Sequence, residues 1–230
     1  MQEFTYSNNK EMCWYKKICD KSKCNDFCIR HYKMEYLASA ATLEGKQMFP
    51  IDLRPDSIDL PAFKRLREIK QNIKDFVENG NNLLLYSEHT GNGKTEWSKK
   101  LLLSWFDSIW PFTELKCRGL FISMPMFISS AKENISKENE YYTYVKDNIF
   151  TADLIIWDEL NYKEWSAFEQ DLMLNIISQR LAMGKANVYT TNYSLADIEK
   201  RLGTRLASRI IGGSELVELK GLDKRGWHNG

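Results

Sequence analysis

Leu83-Leu84-Leu85-Tyr86-Ser87-Glu88-His89-Thr90-Gly91-Asn92-Gly93-Lys94-Thr95 is an apolar run, then a glycine-containing turn, then Gly-Lys-Thr. Downstream, Trp97, Leu101, Leu102, Trp105 and Ile109 recur at helical spacing. A buried strand, a turn and a helix in that order form the setting of a phosphate-binding loop. Backbone N–H groups of Thr90, Gly91, Asn92 and Gly93, with the helix N-terminus behind them, offer partial positive charge to phosphates. Lys94 can reach the β- and γ-phosphates, and the Thr95 hydroxyl can ligate Mg²⁺. Against the pattern G-x-x-x-x-G-K-[ST], Glu88 stands where the first glycine belongs. An acidic side chain beside a polyphosphate argues against tight or fast ATP use.

Working outward, Leu154-Ile155-Ile156-Trp157-Asp158-Glu159 is a second apolar strand, ending in two acids. At a strand's carboxyl end Asp158 would hold Mg²⁺ and Glu159 would act as general base on the attacking water. Asn187 to Asn192 reads as another strand with polar residues at the end that faces the ligand crevice of a parallel sheet. Thr191 or Asn192 would there meet the γ-phosphate or the attacking water. Leu120 to Ser123 and Glu215 to Leu219 read as two more strands. Helices are expected over Asp59 to Val77, capped by Asp59, over Ala167 to Met183, and over Leu195 to Leu202, capped by Ser194. Phe127 to Val145 is polar and helix-prone and reads as a solvated helical face. Arg205 and Arg209 lie four apart on one helical face and read either as two solvated arginines or as an arginine finger offered to a neighbour's nucleotide.

The first 47 residues differ in kind. Cys13, Cys19, Cys24 and Cys28 have the spacing C-x5-C-x4-C-x3-C, with His31 following. Four thiolates can close a tetrahedral Zn²⁺ site that supplies folding energy to a segment too short for a core. An iron–sulfur cluster, His31 in place of one cysteine, or plain buried thiols are the alternatives. Phe27 to Ala41 looks helical, and the proline-rich stretch from Gly45 to Pro61 looks like a linker. Three parts are therefore expected: a cysteine-rich module over residues 1–47, a linker over 48–58 and a main domain over 59–230. With 230 residues and 43% apolar content there is room for one main domain plus a small module. No run of 18 apolar residues is present, so no membrane span is expected, and the first residues do not read as a signal peptide. The net charge of +1 does not announce a nucleic-acid binder, although seven Lys or Arg against three acids lie between Lys200 and Arg225.

The order P-loop, strand with Asp-Glu, strand with Thr-Asn, then Gly-x-Arg-Leu-x-Ser-Arg and a late Arg resembles the AAA+ ATPases of the DnaC/DnaI helicase-loader group. The resemblance covers about residues 59 to 226. It implies an α/β fold with a five-stranded parallel sheet of order 5-1-4-3-2. It implies Asn192 as the sensor-1 residue, Arg205 as the finger acting in trans and Arg225 as the sensor-2 residue. Residues 125–146 would match the loader-specific helical insertion that contacts single-stranded DNA or the next subunit. The cysteine module is similar in kind to the zinc-containing helicase-binding domain of DnaI-type loaders. The group implies ATP/ADP, Mg²⁺ and Zn²⁺ as cofactors. As partners it implies a DnaB-type hexameric helicase, single-stranded DNA and head-to-tail copies of the chain itself. Many members are phage-encoded, which places the expected action in the cytoplasm of a bacterial host. Two alternatives share the P-loop: an IstB-like helper of DNA transposition, and a small-molecule kinase that would need neither Glu159 nor an interfacial arginine.

Overall fold

The computed structural model describes residues 13–15, 19, 27–160 and 163–224. In chain order the helices and strands are α1 (Ile29–Ala40), α2 (Leu60–Gln71), α3 (Ile73–Glu78), β1 (Asn82–Tyr86), α4 (Lys94–Ile109), β2 (Gly119–Ser123), α5 (Met124–Glu133) and α6 (Glu140–Asn148). Then follow β3 (Leu154–Asp158), α7 (Ala167–Ala182), β4 (Ala186–Thr191), α8 (Leu195–Leu202), α9 (Thr204–Gly212) and β5 (Glu215–Glu218).

The strands are apolar on both faces, so the sheet must be covered twice. Leu83, Leu85, Leu154, Ile156, Ala186, Val188 and Phe121 join one core with Phe63, Leu101 and Phe106 of α2 and α4. The alternate residues Leu84, Ile155, Trp157, Tyr189, Leu120 and Ile122 join a second core with Phe127, Val145, Ile177 and Ile210 of α5, α6, α7 and α9. Helical crossovers that cover both faces make neighbouring strands parallel. All four pairings are parallel, in the order β2-β3-β4-β1-β5. Read from the other edge, this is the order 5-1-4-3-2 that the resemblance implied. β1 therefore lies between β4 and β5, and the crevice at its carboxyl end is where an open α/β sheet binds ligands.

Several local expectations are corrected. The helix expected over Asp59 to Val77 breaks at Asn72, where the backbone leaves helical geometry (φ −106°, ψ 31°) while its N–H and Nδ2 both donate to the Glu68 carbonyl at 3.0 Å. Asp59 does precede α2, but its side chain makes no cap. Instead Oδ1 accepts the N–H groups of Lys220 and Gly221 at 2.8 and 3.0 Å, and Oδ2 meets Lys224 Nζ at 3.3 Å. β2 ends at Ser123 and Pro125 falls in the first turn of α5, where its missing N–H costs nothing. The stretch read as a solvated face is two helices that bury Phe127, Ile128, Ala131 and Val145 in the second core.

The start of the chain is also tied in. Met34, Leu37, Ala38, Ala41 and Leu43 belong to the first core. β2 is an edge strand, and Ala41 and Thr42 blunt it: Phe121 N–H donates to the Ala41 carbonyl at 2.8 Å and Thr42 Oγ1 donates to the Phe121 carbonyl at 2.5 Å. Further out, Asp107 of α4 accepts from Tyr15 Oη at 2.6 Å and Arg30 Nη2 at 2.7 Å. A Leu37→Ala variant tests this tie. Because Leu37 is fully buried, it should lose roughly 2–5 kcal/mol of unfolding stability in one transition shared with Trp105 fluorescence. An early, separate transition would show that α1 folds apart from the sheet.

Candidate functional site

The elements converge on one cavity of about 270 Å³ at the carboxyl ends of β1, β3 and β4. Its lining includes Thr90 to Glu96, Glu159, Thr190, Asn192 and Lys224, with Ile51 and Leu53 from the proline-rich stretch. The loop between β1 and α4 turns at Gly91 (φ 71°) and Gly93 (φ 105°), conformations that cost an L side chain much more than glycine. Glu88 does not have a positive φ. The first glycine of the pattern is therefore dispensable here, and Glu88 is exposed to solvent. A Cβ on Gly93 would strike Leu53, so the proline-rich stretch lies directly against the loop.

A side-chain network holds the loop. Asn92, fully buried, donates through Nδ2 to Ser87 Oγ at 2.6 Å and to the Leu219 carbonyl at 2.9 Å. Its side chain thus faces the protein, not the cavity. Lys94 Nζ donates to the His89 carbonyl at 2.9 Å and to Asn92 Oδ1 at 3.0 Å. Burial lowers the Lys94 pKa to about 8, against the pull of the Asp158 charge. Across the cavity, Thr95 Oγ1 lies 3.0 and 3.1 Å from the two Asp158 oxygens. Burial raises the Asp158 pKa to about 6, opposed by hydrogen bonds from Thr190 and Thr95. A hydroxyl and a carboxylate side by side are hard oxygen donors, which fits Mg²⁺. Glu159 follows in the left-handed region (φ 64°) and is exposed at the cavity rim.

The 219–224 segment walls the loop on another side. Lys224 N–H donates to the Gly91 carbonyl at 2.9 Å, and its ammonium lies 2.7 Å from Asp56. Sequence reading missed Asp56, Asp59, Lys224 and Thr190. A buried Asp–Lys cluster between distant segments leaves no periodic mark, and Thr190 differs from its neighbour Thr191 only in which way it points.

Of the remaining candidates, Arg205 and Arg209 are exposed on α9. Arg205 does not line this cavity but a separate one of about 290 Å³, with Gln170, Asp171 and Leu174 of α7. Arg225 and Cys24 lie outside the described residues. Cys13 and Cys28 are half-buried and Cys19 is exposed. Among the described residues no group of three or more His, Cys, Asp or Glu side chains is placed to hold a metal. The metal-binding module is therefore not seen, and these three thiols do not by themselves fit Zn²⁺. His31 is buried on α1 beside Trp14, with Nδ1 3.8 Å from Glu35, and burial lowers its pKa. No described helix is long and apolar enough to cross a membrane.

The chain resembles the crystal structure of the DnaC helicase loader with a TM-score of 0.63 and 22% identity, over 76% of this chain and 100% of that one. The chain shares that structure's fold, an α/β fold with a five-stranded parallel sheet. It resembles the DnaI structure with a TM-score of 0.54 and 17% identity, over 77% of this chain and 89% of that one. It also resembles the replication initiator DnaA bound to AMPPCP and single-stranded DNA, with a TM-score of 0.54 and 18% identity, over 74% of this chain and 48% of that one. No family profile and no curated protein matches the sequence.

The two shifted groups predict a bell-shaped pH dependence for Mg²⁺-dependent nucleotide binding. Below about pH 6 a proton competes for Asp158, and above about pH 8 Lys94 must take up a proton to meet phosphate. Fluorescent ATP-analogue titrations should show affinity falling up to about tenfold per pH unit on each flank. Asp158→Asn should abolish the acid flank and leave the alkaline one.

Proposed function

We propose that the chain is an ATP-dependent DNA replication protein that binds and loads a replicative hexameric helicase onto single-stranded DNA. The observation that carries this is the Thr95–Asp158 contact at the edge of a cavity lined by Thr95, Glu159 and Asn192, on the same fold as the DnaC loader.

Each residue's part follows from its chemistry. The loop from Thr90 to Gly93 offers backbone N–H groups to phosphate, and Lys94 neutralises the β- and γ-phosphates. Thr95 and Asp158 would hold Mg²⁺, which supplies further neutralisation of phosphate charge. Glu159 accepts the proton of the attacking water, and Asn192 orients that water against the γ-phosphate. Arg205, exposed and remote from its own cavity, serves the site of the next copy in a head-to-tail assembly. Arg225 serves as the cis-acting sensor. ATP binding would order the assembly, and hydrolysis would release the helicase.

The rest of the proposal concerns partners. The part of residues 1–47 ahead of α1 forms the helicase grip, with Cys13, Cys19, Cys24 and Cys28 as its Zn²⁺ ligands, while α1 itself packs in the first core. Residues 48–58 link it to the ATPase domain over 59–230. The α5–α6 hairpin, with its exposed Ile135 tip, meets single-stranded DNA, as does the AMPPCP-bound DnaA in its structure. The place of action is the cytoplasm of a bacterium, as host if the gene is carried by a phage.

Turnover measurements test the ATPase part. Lys94→Ala should lose nucleotide binding. Glu159→Gln and Arg205→Ala should keep it while turnover falls by about 10²-fold or more. Mixing Glu159→Gln with Arg205→Ala should restore part of the activity, since an intact Glu159 then meets an intact Arg205 across the contact. Mixtures no more active than their inputs would contradict a finger acting in trans.

A further inference from the structure

The β3–β4 ladder ends at the pair Trp157↔Tyr189. One residue further on, pairing passes from backbone to side chain. Thr190 Oγ1 donates to Asp158 Oδ1 at 2.6 Å and accepts the Glu159 N–H at 3.0 Å, while the Thr190 carbonyl accepts the Leu160 N–H at 3.0 Å. A hydroxyl has one hydrogen. With an N–H on one side and a carboxylate on the other, its orientation is determined. Thr190 is 2% exposed, so water has little room to take over either bond.

The residue served by this hydroxyl is unusual. Glu159 and Thr42 are the non-glycine residues with positive φ among those described. Such a conformation persists only where the surroundings over-determine it. At Glu159 the determinants are the hydroxyl of Thr190 on its N–H and the carbonyl of Thr190 on the next N–H. The same hydroxyl also approaches Asp158 from the β4 side, opposite to Thr95 from the P-loop. One atom therefore sets the orientation of one acid and the backbone turn from which the other projects.

We propose that Thr190 is a positioning residue for ATP hydrolysis, acting through Asp158 and Glu159. The proposal rests on the ATPase reading above. Its signature is a split between binding and turnover that depends on the hydroxyl and not on the methyl group. Thr190→Val keeps shape and carbonyl and removes the hydroxyl; Thr190→Ser keeps the hydroxyl. Thr190→Cys serves as a second hydroxyl-free variant of a size close to Ser, so that Ser against Cys decides the matter if Val does not fold.

The experiment measures steady-state ATP turnover across a Mg²⁺ titration, together with Mg²⁺-free ADP binding, for the four proteins. Thr190→Val and Thr190→Cys should lose at least 30-fold in turnover and need several-fold more Mg²⁺ for half-saturation. Their Mg²⁺-free ADP affinity should stay within twofold, and Thr190→Ser should recover turnover to within threefold of the parent. Turnover by Val or Cys within twofold of the parent, or Ser no better than Cys, would overturn the role of the hydroxyl alone. A parent protein without Mg²⁺-dependent turnover would overturn the ATPase reading and this proposal with it.

Discussion

A sheet whose strands are apolar on both faces cannot rest in water on either side, and this constraint organises the molecule. Leu83 and Leu85 face one core and Leu84 the other, and β3 and β4 repeat the alternation. Covering both faces requires helical crossovers, and helical crossovers bring every strand's carboxyl end to the same side. With β1 set between β4 and β5, the chain departs in opposite directions on either side of one crevice. The P-loop, Asp158 and Asn192 meet there because hydrophobic burial put the ends of their strands together.

Within that crevice the polar groups hold one another. Asn92 ties the P-loop to the end of β5 through the Leu219 carbonyl, and Thr190 ties β4 to the acids after β3. Lys224, almost fully buried between Asp56 and Asp59, brings the 219–224 segment against Gly91. Buried charges of this kind add little net stability, but removing one partner strands the others. Their effect is to fix geometry, which is what a site for a highly charged ligand needs before the ligand arrives.

The parts legible in the sequence were those with a local signature. Four-residue apolar runs ending in Gly-Lys-Thr or Asp-Glu carry their own context, so β1, β3 and the loop after β1 could be read directly. The Glu88 position could not be judged from sequence. Whether a loop needs glycine there depends on φ, and φ there is not in the left-handed region. The helix break at Asn72 is a change of backbone angle at one residue, which no periodicity marks. The capping of the β2 edge by Ala41 and Thr42 joins residues about 80 apart, beyond any periodicity. The cluster of Asp56, Asp59 and Lys224 spans an even longer separation, Asp56 and Lys224 being 168 positions apart. These are tertiary facts, and tertiary contacts override local propensity.

The most direct test of the proposed helicase-loading function is a native mass measurement of the chain with a bacterial replicative hexameric helicase, with and without ATP. A stoichiometric complex should form whose composition changes on adding ATP. The change should vanish with Lys94→Ala, and the complex itself with Cys24→Ser. No complex under any nucleotide condition would contradict the loader function while leaving the ATPase site to be explained by another partner.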